Sequence, residues 1–154
     1  MLAVYSGHSQ RGTAMAYSQD LEKSARRHLR AAQVLYNQQQ PGDRPGCKAV
    51  AGYLYGITGE LAIKQIMRRS GIMPLPEGQR QDDPFYAHFP TLKTMLATVP
   101  GRRAGELQRF WNDPKLFQYW DIAMRYAPTA DIREDWVDSW KASAEELVTR
   151  MDTR

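Results

Sequence analysis

Apolar residues recur with a helical period along most of the chain. From Ala14 the stripe Tyr17, Leu21, Ala25, His28, Ala32, Leu35 follows one face of a helix. Gln38-Gln39-Gln40-Pro41-Gly42 stops that helix, and Pro45-Gly46 prolongs a loop that takes in Cys47. A second helix is predicted from Lys48 to Arg69, with Val50, Leu54, Ile57 and Leu61 on one face and Tyr53, Ile63, Ile66 and Met67 widening it. A helix apolar over most of its girth belongs at the centre of a bundle. Gly52, Gly56 and Gly59 each weaken it by roughly 1 kcal/mol relative to Ala, a cost that close approach of another backbone would repay. Gly71 to Pro84 reads as a long loop.

Pro90 opens a third helix carrying Leu92, Met95, Leu96 and Val99, broken by Pro100-Gly101, and a short helix with Leu107, Phe110 and Trp111 follows. Asp113-Pro114 has the form of an N-cap and first helical position, predicting a helix through Leu116, Phe117, Trp120, Ala123 and Met124. Asp131 and Glu134 form a capping pair for the last helix, whose stripe is Trp136, Trp140, Ala144, Leu147 and Met151. No segment alternates as a strand does. The expectation is an all-α fold, a single bundle of four to five helices over residues 14–154, preceded by a mobile arm over residues 1–13.

Composition narrows the class of protein more than its activity. The 154 residues suffice for one domain, and no apolar run nears the roughly 20 residues of a membrane span. One cysteine, Cys47, forms no internal disulfide, and no signal-peptide pattern opens the chain, so a cytoplasmic setting is expected. The three histidines lie far apart and no phosphate-loop or HExxH pattern occurs, so neither metal nor cofactor is expected. The net charge of +4 is uneven: residues 1–80 hold 11 Lys and Arg against 5 Asp and Glu, residues 81–154 hold 10 against 12. A basic front half attracts phosphate or docks on an acidic partner, and Arg26, Arg27 and Arg30 are its candidate nucleic-acid contacts, a solvated face being the plain alternative.

Two acid-before-base pairs stand four residues apart, Glu60 with Lys64 and Asp121 with Arg125. The first lies on the most apolar helix, where a buried Glu60 needs a cationic or hydrogen-bonding partner. The second reads most simply as an intrahelical salt bridge, with Arg125 also favoured by the helix dipole. His88, in Tyr86-Ala87-His88-Phe89-Pro90, reads as a cap or packing residue as readily as a base, His28 as a satisfied core histidine, and the four tryptophans as core.

In order along the chain, these pieces resemble the HEPN superfamily, small helical domains of prokaryotic defence and toxin–antitoxin systems. The stretch Ala51-Gly52-Tyr53-Leu54-Tyr55-Gly56-Ile57-Thr58-Gly59-Glu60-Leu61-Ala62-Ile63-Lys64 resembles the family's second helix. His88-Phe89-Pro90-Thr91-Leu92 resembles the start of the next, and Trp120-Asp121-Ile122-Ala123-Met124-Arg125-Tyr126 a helix ending in Arg-Tyr. The resemblance implies a homodimer with a cleft at its two-fold interface, and metal-independent RNA cleavage by an Arg followed after four to six residues by His. Here no histidine follows Arg125, and Arg80 precedes His88 by seven intervening residues. The resemblance therefore implies a non-catalytic module in which Glu60, Lys64, His88, Asp121, Arg125 and Tyr126 bind nucleotide, nucleic acid or a partner protein. The alternatives are an endoribonuclease using His88 with Arg125, and a structural or regulatory subunit docking through its Trp-rich last helix, with some of Trp136, Val137 and Trp140 exposed as an apolar patch.

Overall fold

The side chain of Asp20 fixes where the first helix begins: it accepts the Lys23 N–H at 2.9 Å, and its own backbone is extended. The computed structural model describes residues 18–38, 45–98 and 105–153. Helix α1 spans Leu21–Asn37, not from Ala14, because an N-cap at Asp20 ends the periodic stripe there. The arm predicted over residues 1–13, with residues 14–17, lies outside the described residues.

Helix α2 runs Pro45–Arg69, so Cys47 stands in its first turn rather than in a loop. It ends at Gly71 (φ 82°), whose N–H reaches Arg68 O while the Ile72 N–H reaches Met67 O. The left-handed residue turns the chain back and satisfies two carbonyls the helix would leave open. Short 3-10 segments at Glu77–Asp82 and Pro84–Tyr86 follow, then α3 (Thr91–Leu96), α4 (Gly105–Trp111) and α5 (Glu134–Asp152). Among the described residues there is no strand; the molecule is an all-α bundle.

As its apolar girth predicts, α2 is the axis, packed on α1 along one side and α5 along the other. Ala51, Tyr55, Ala62, Ile63, Ile66 and Met67 are fully buried along it. Gly52, Gly56 and Gly59, however, receive side chains rather than a backbone. A Cβ on Gly56 would lie 1.9 Å from the Trp120 ring, one on Gly59 2.3 Å from the Phe117 ring, and one on Gly52 2.9 Å from Val137. Trp120 seals its notch by donating its indole N–H to Gly52 O at 3.1 Å.

That insertion overrides the helix predicted after Asp113-Pro114. Residues 114–119 form turns, with Phe117 and Tyr119 at positive φ (49° and 67°), and only Ile122–Tyr126 closes into a 3-10 helix. Left-handed residues end a right-handed helix. Gln118 O, which a helix would use internally, instead accepts the Trp140 indole N–H at 2.8 Å. Asp113 caps a local turn through the Lys115 N–H.

The predicted Asp131–Glu134 cap is also replaced. Helix α5 starts at Glu134 behind an Arg133 N-cap whose side chain forms no cap, while Asp131 sits in a 3-10 turn, Thr129–Asp131. Glu134 and Asp135 place acid in the first turn, where the helix dipole favours it. Val137 and Trp140 are 1% exposed and serve the core, while Trp136 is half-buried against the exposed Tyr119, 4.8 Å between ring centroids.

Candidate functional site

A charged residue on the buried girth of α2 must find partners inside the bundle, and Glu60, 3% exposed, finds two on the segment leading into α3. Its Oε2 accepts His88 Nδ1–H at 2.8 Å, and its Oε1 accepts the Phe89 N–H at 2.8 Å. Burial raises the Glu60 carboxyl above its ordinary pKa, while the His88 and Phe89 hydrogen bonds and the nearby Lys64 charge pull it back. With Nδ1 held by a carboxylate, the His88 ring has a fixed orientation and leaves Nε2 for another partner.

The His88 side chain remains half exposed and lines a cleft of about 350 Å³ together with Arg80, Tyr86, Thr91 and Asp121. Arg80 lies over the Tyr86 ring, 4.9 Å from its centroid, and reaches Glu77 at 3.4 Å. Asp83 shapes this segment from within. It is 1% exposed, and its two oxygens accept the Leu75 and Phe85 N–H groups at 2.8 and 3.0 Å. Chemically, the cleft offers an oriented imidazole and a guanidinium at its rim, a pair suited to hydrogen-bonding an oxyanion or moving one proton.

The six expected ligand residues do not converge within one chain. Glu60 and His88 meet, and Asp121 lines the same cleft, but its Oδ1 is engaged with the Ala123 N–H at 2.8 Å. The expected Asp121–Arg125 salt bridge is absent, because Asp121 caps the 3-10 turn instead of standing one α-turn before Arg125. Arg125 borders a different cleft with Tyr53 and Ile132, and its guanidinium lies over the ring of Tyr126, which is 78% exposed. Lys64 lines a third cleft, with Arg27. In one chain, then, His88 and Arg125 border separate clefts.

The basic trio on α1 is likewise divided. Arg26 pairs with Glu22 and Asp152, Arg27 reaches Ser24 Oγ at 3.4 Å, and Arg30 is exposed. His28 is satisfied by Ser24 O at 2.7 Å. Among the described residues no cluster of His, Cys, Asp and Glu suits a metal ion, and no helix is long and apolar enough to cross a membrane.

Two residues of the cleft escape a reading of sequence alone. Arg80 belongs with His88 because a turn-rich segment folds back on itself, and Asp83 is foreshadowed only by its Asp-Pro dipeptide, a turn signal. Against known proteins, the chain matches no family model, no curated relative and no solved structure.

Proposed function

We propose that this chain is a HEPN-like helical module, acting as a homodimer, that binds the phosphate of a nucleotide or RNA in the His88–Arg80 cleft. What carries the reading is the Glu60–His88 hydrogen bond. A buried carboxylate spends its burial on orienting one half-exposed imidazole. Arg80 at the same cleft adds a permanent cation, and the net charge of +4 favours approach of a polyanion. Arg125 borders another cleft and contributes no second cation here, which favours binding over cleavage.

The test is fluorescence polarisation with a labelled single-stranded RNA and with labelled adenosine monophosphate. Arg80→Ala and His88→Ala are each expected to weaken one or both by about tenfold, the loss of one charge-assisted contact. Unchanged affinity in both folded variants refutes the assignment of this cleft.

A second reading, a metal-independent endoribonuclease of toxin or defence type, is favoured by the same oriented imidazole, whose Nε2 can act as a general base. It requires RNA cleavage that survives EDTA and disappears in His88→Ala. Binding without cleavage leaves the module reading alone.

A further inference from the structure

The third cleft rests on a different residue from the proposed site. Lys64 is only 7% exposed, yet its ammonium donates no hydrogen bond to any described residue. The two carboxylates whose charges reach it, Glu60 and Asp83, are already engaged. All four of their oxygens accept from His88, Phe89, Leu75 and Phe85. Tyr55 Oη, not Lys64 Nζ, is the side-chain atom sealed without a partner among the described residues, so the open donors of this ammonium face the solvent of the cleft, where an anion can take the place of water.

That space is a cleft of about 410 Å³ between α2 and the start of α1, lined by Lys64, Arg27, Ser24, Lys23, Asp20 and Phe85, among others. Lys23 is spoken for by Asp20 at 3.5 Å. Arg27, unlike its neighbour Arg26, forms no ion pair with a carboxylate of the described residues and hydrogen-bonds Ser24 Oγ at 3.4 Å. Two cations, one buried and one at the rim, are left facing one cavity, with a serine hydroxyl beside them.

We infer that this cleft binds a terminal phosphate group, the monoester dianion of a small phosphorylated molecule, with Lys64 at its floor and Arg27 at its rim. Two cations, neither in a direct ion pair with a carboxylate of the described residues, match a dianion better than a carboxylate. The depth of Lys64 favours a terminal phosphate over a diester inside a continuous strand, whose two ester links would have to follow it inward. The Phe85 ring offers an apolar wall for the remainder of such a molecule.

The experiment titrates the full chain at constant ionic strength with inorganic phosphate, adenosine monophosphate and acetate. It follows both calorimetric binding and the Lys64 Nζ resonance. Saturable phosphate binding that moves that resonance with the same midpoint is expected, with acetate weaker and Arg27→Gln weakening phosphate by about tenfold. Lys64→Met is expected to abolish binding if it folds; the wild-type resonance and Arg27→Gln decide the matter if it does not. No saturable binding, a stationary Lys64 resonance, equal affinity in Arg27→Gln, or acetate as tight as phosphate each overturns the inference. So does loss, in Arg80→Ala, of the phosphate-dependent shift of the Lys64 resonance; a weaker calorimetric affinity in Arg80→Ala with that shift unchanged belongs to the His88 cleft and leaves this one standing. A tighter adenosine monophosphate than inorganic phosphate assigns a nucleoside tail, and equal affinities assign the phosphate alone.

Discussion

Glu60 and Tyr55 show how burial sets the cost of a polar atom. The Glu60 carboxyl is raised above its ordinary pKa near 4.5, so the folded chain holds that proton more tightly than the unfolded chain. Ionising this group therefore costs stability as pH rises from about 4.5 to the folded value, because over that window the native state binds more protons than the unfolded one. Glu60→Gln keeps an oxygen for the Phe89 N–H, offers its amide N–H to His88 Nδ1 once the ring takes the Nε2–H tautomer, and has no ionisation. Its stability relative to wild type is expected to grow across that window, read from urea midpoints at about pH 4 and about pH 7. A flat difference refutes it. The Tyr55 hydroxyl is buried with no hydrogen-bond partner among the described residues, and burial raises its pKa. Tyr55→Phe removes an unsatisfied group and should stabilise the protein by about 1 kcal/mol, seen as a higher Tm. The need of Glu60 for a partner was readable from the apolar girth around it. Which partner was not, because His88 lies 28 positions along, across the turns that follow α2.

Among the elements, α5 was legible because burial follows its stripe through Trp140, Ala144, Leu147 and Met151. Helix α2 was legible as a long apolar helix, but not in its face: of the stripe Val50, Leu54, Ile57 and Leu61 none is buried, and Val50 is 51% exposed. A girth apolar almost all round carries little periodic signal, and the core takes Ala51, Tyr55, Ala62, Ile63, Ile66 and Met67 instead. The strap over residues 113–121 was not. Leu116, Phe117 and Trp120 have a helix-like spacing, but that same spacing serves a chain of turns delivering rings into notches. The glycines of α2 were the available signal, and they called for aromatic side chains rather than a neighbouring backbone. Gly56→Ala gains about 1 kcal/mol of helix propensity but drives a Cβ to 1.9 Å from a rigid indole. A net loss of about 2–3 kcal/mol is expected by chemical denaturation. Gly78→Ala, with nothing within 4 Å of its Cβ, serves as the control and should change little. Arg69 ties three helices together, binding both Glu106 oxygens on α4 at 3.0 Å and the Met151 carbonyl at the end of α5 at 2.7 Å. Arg69→Ala should cost about 1–2 kcal/mol, and a melt that does not shift would refute the tie.

At the scale of the whole molecule, one central helix carries opposite burdens on different faces. Its glycine face is a receptor for rings, while Glu60 and Lys64, one turn apart, serve two separate clefts. The all-α class and the axial place of α2 followed from the pattern of apolar residues; the scatter of the candidates, with His88 and Asp121 in one cleft, Arg125 in a second and Lys64 in a third, came from the turns at residues 71–90 and 113–126, which no period describes. The ring-filled notches also order events in time. A notch exists only once α2 is wound, so the 113–121 strap has nothing to grip until the axis and its neighbours have assembled. The expected order starts with α1 and α2, adjacent in sequence and extensively packed, and closes with the strap. Mutations at Trp120 should accelerate unfolding while barely slowing refolding, a φ-value near zero, whereas Ala51 and Ile63 substitutions should slow refolding. The indole that locks the finished structure would thus arrive late and leave early, and the part of the unfolding fluorescence change lost in Trp120→Phe, against the background of the other three tryptophans, would time the opening of the bundle.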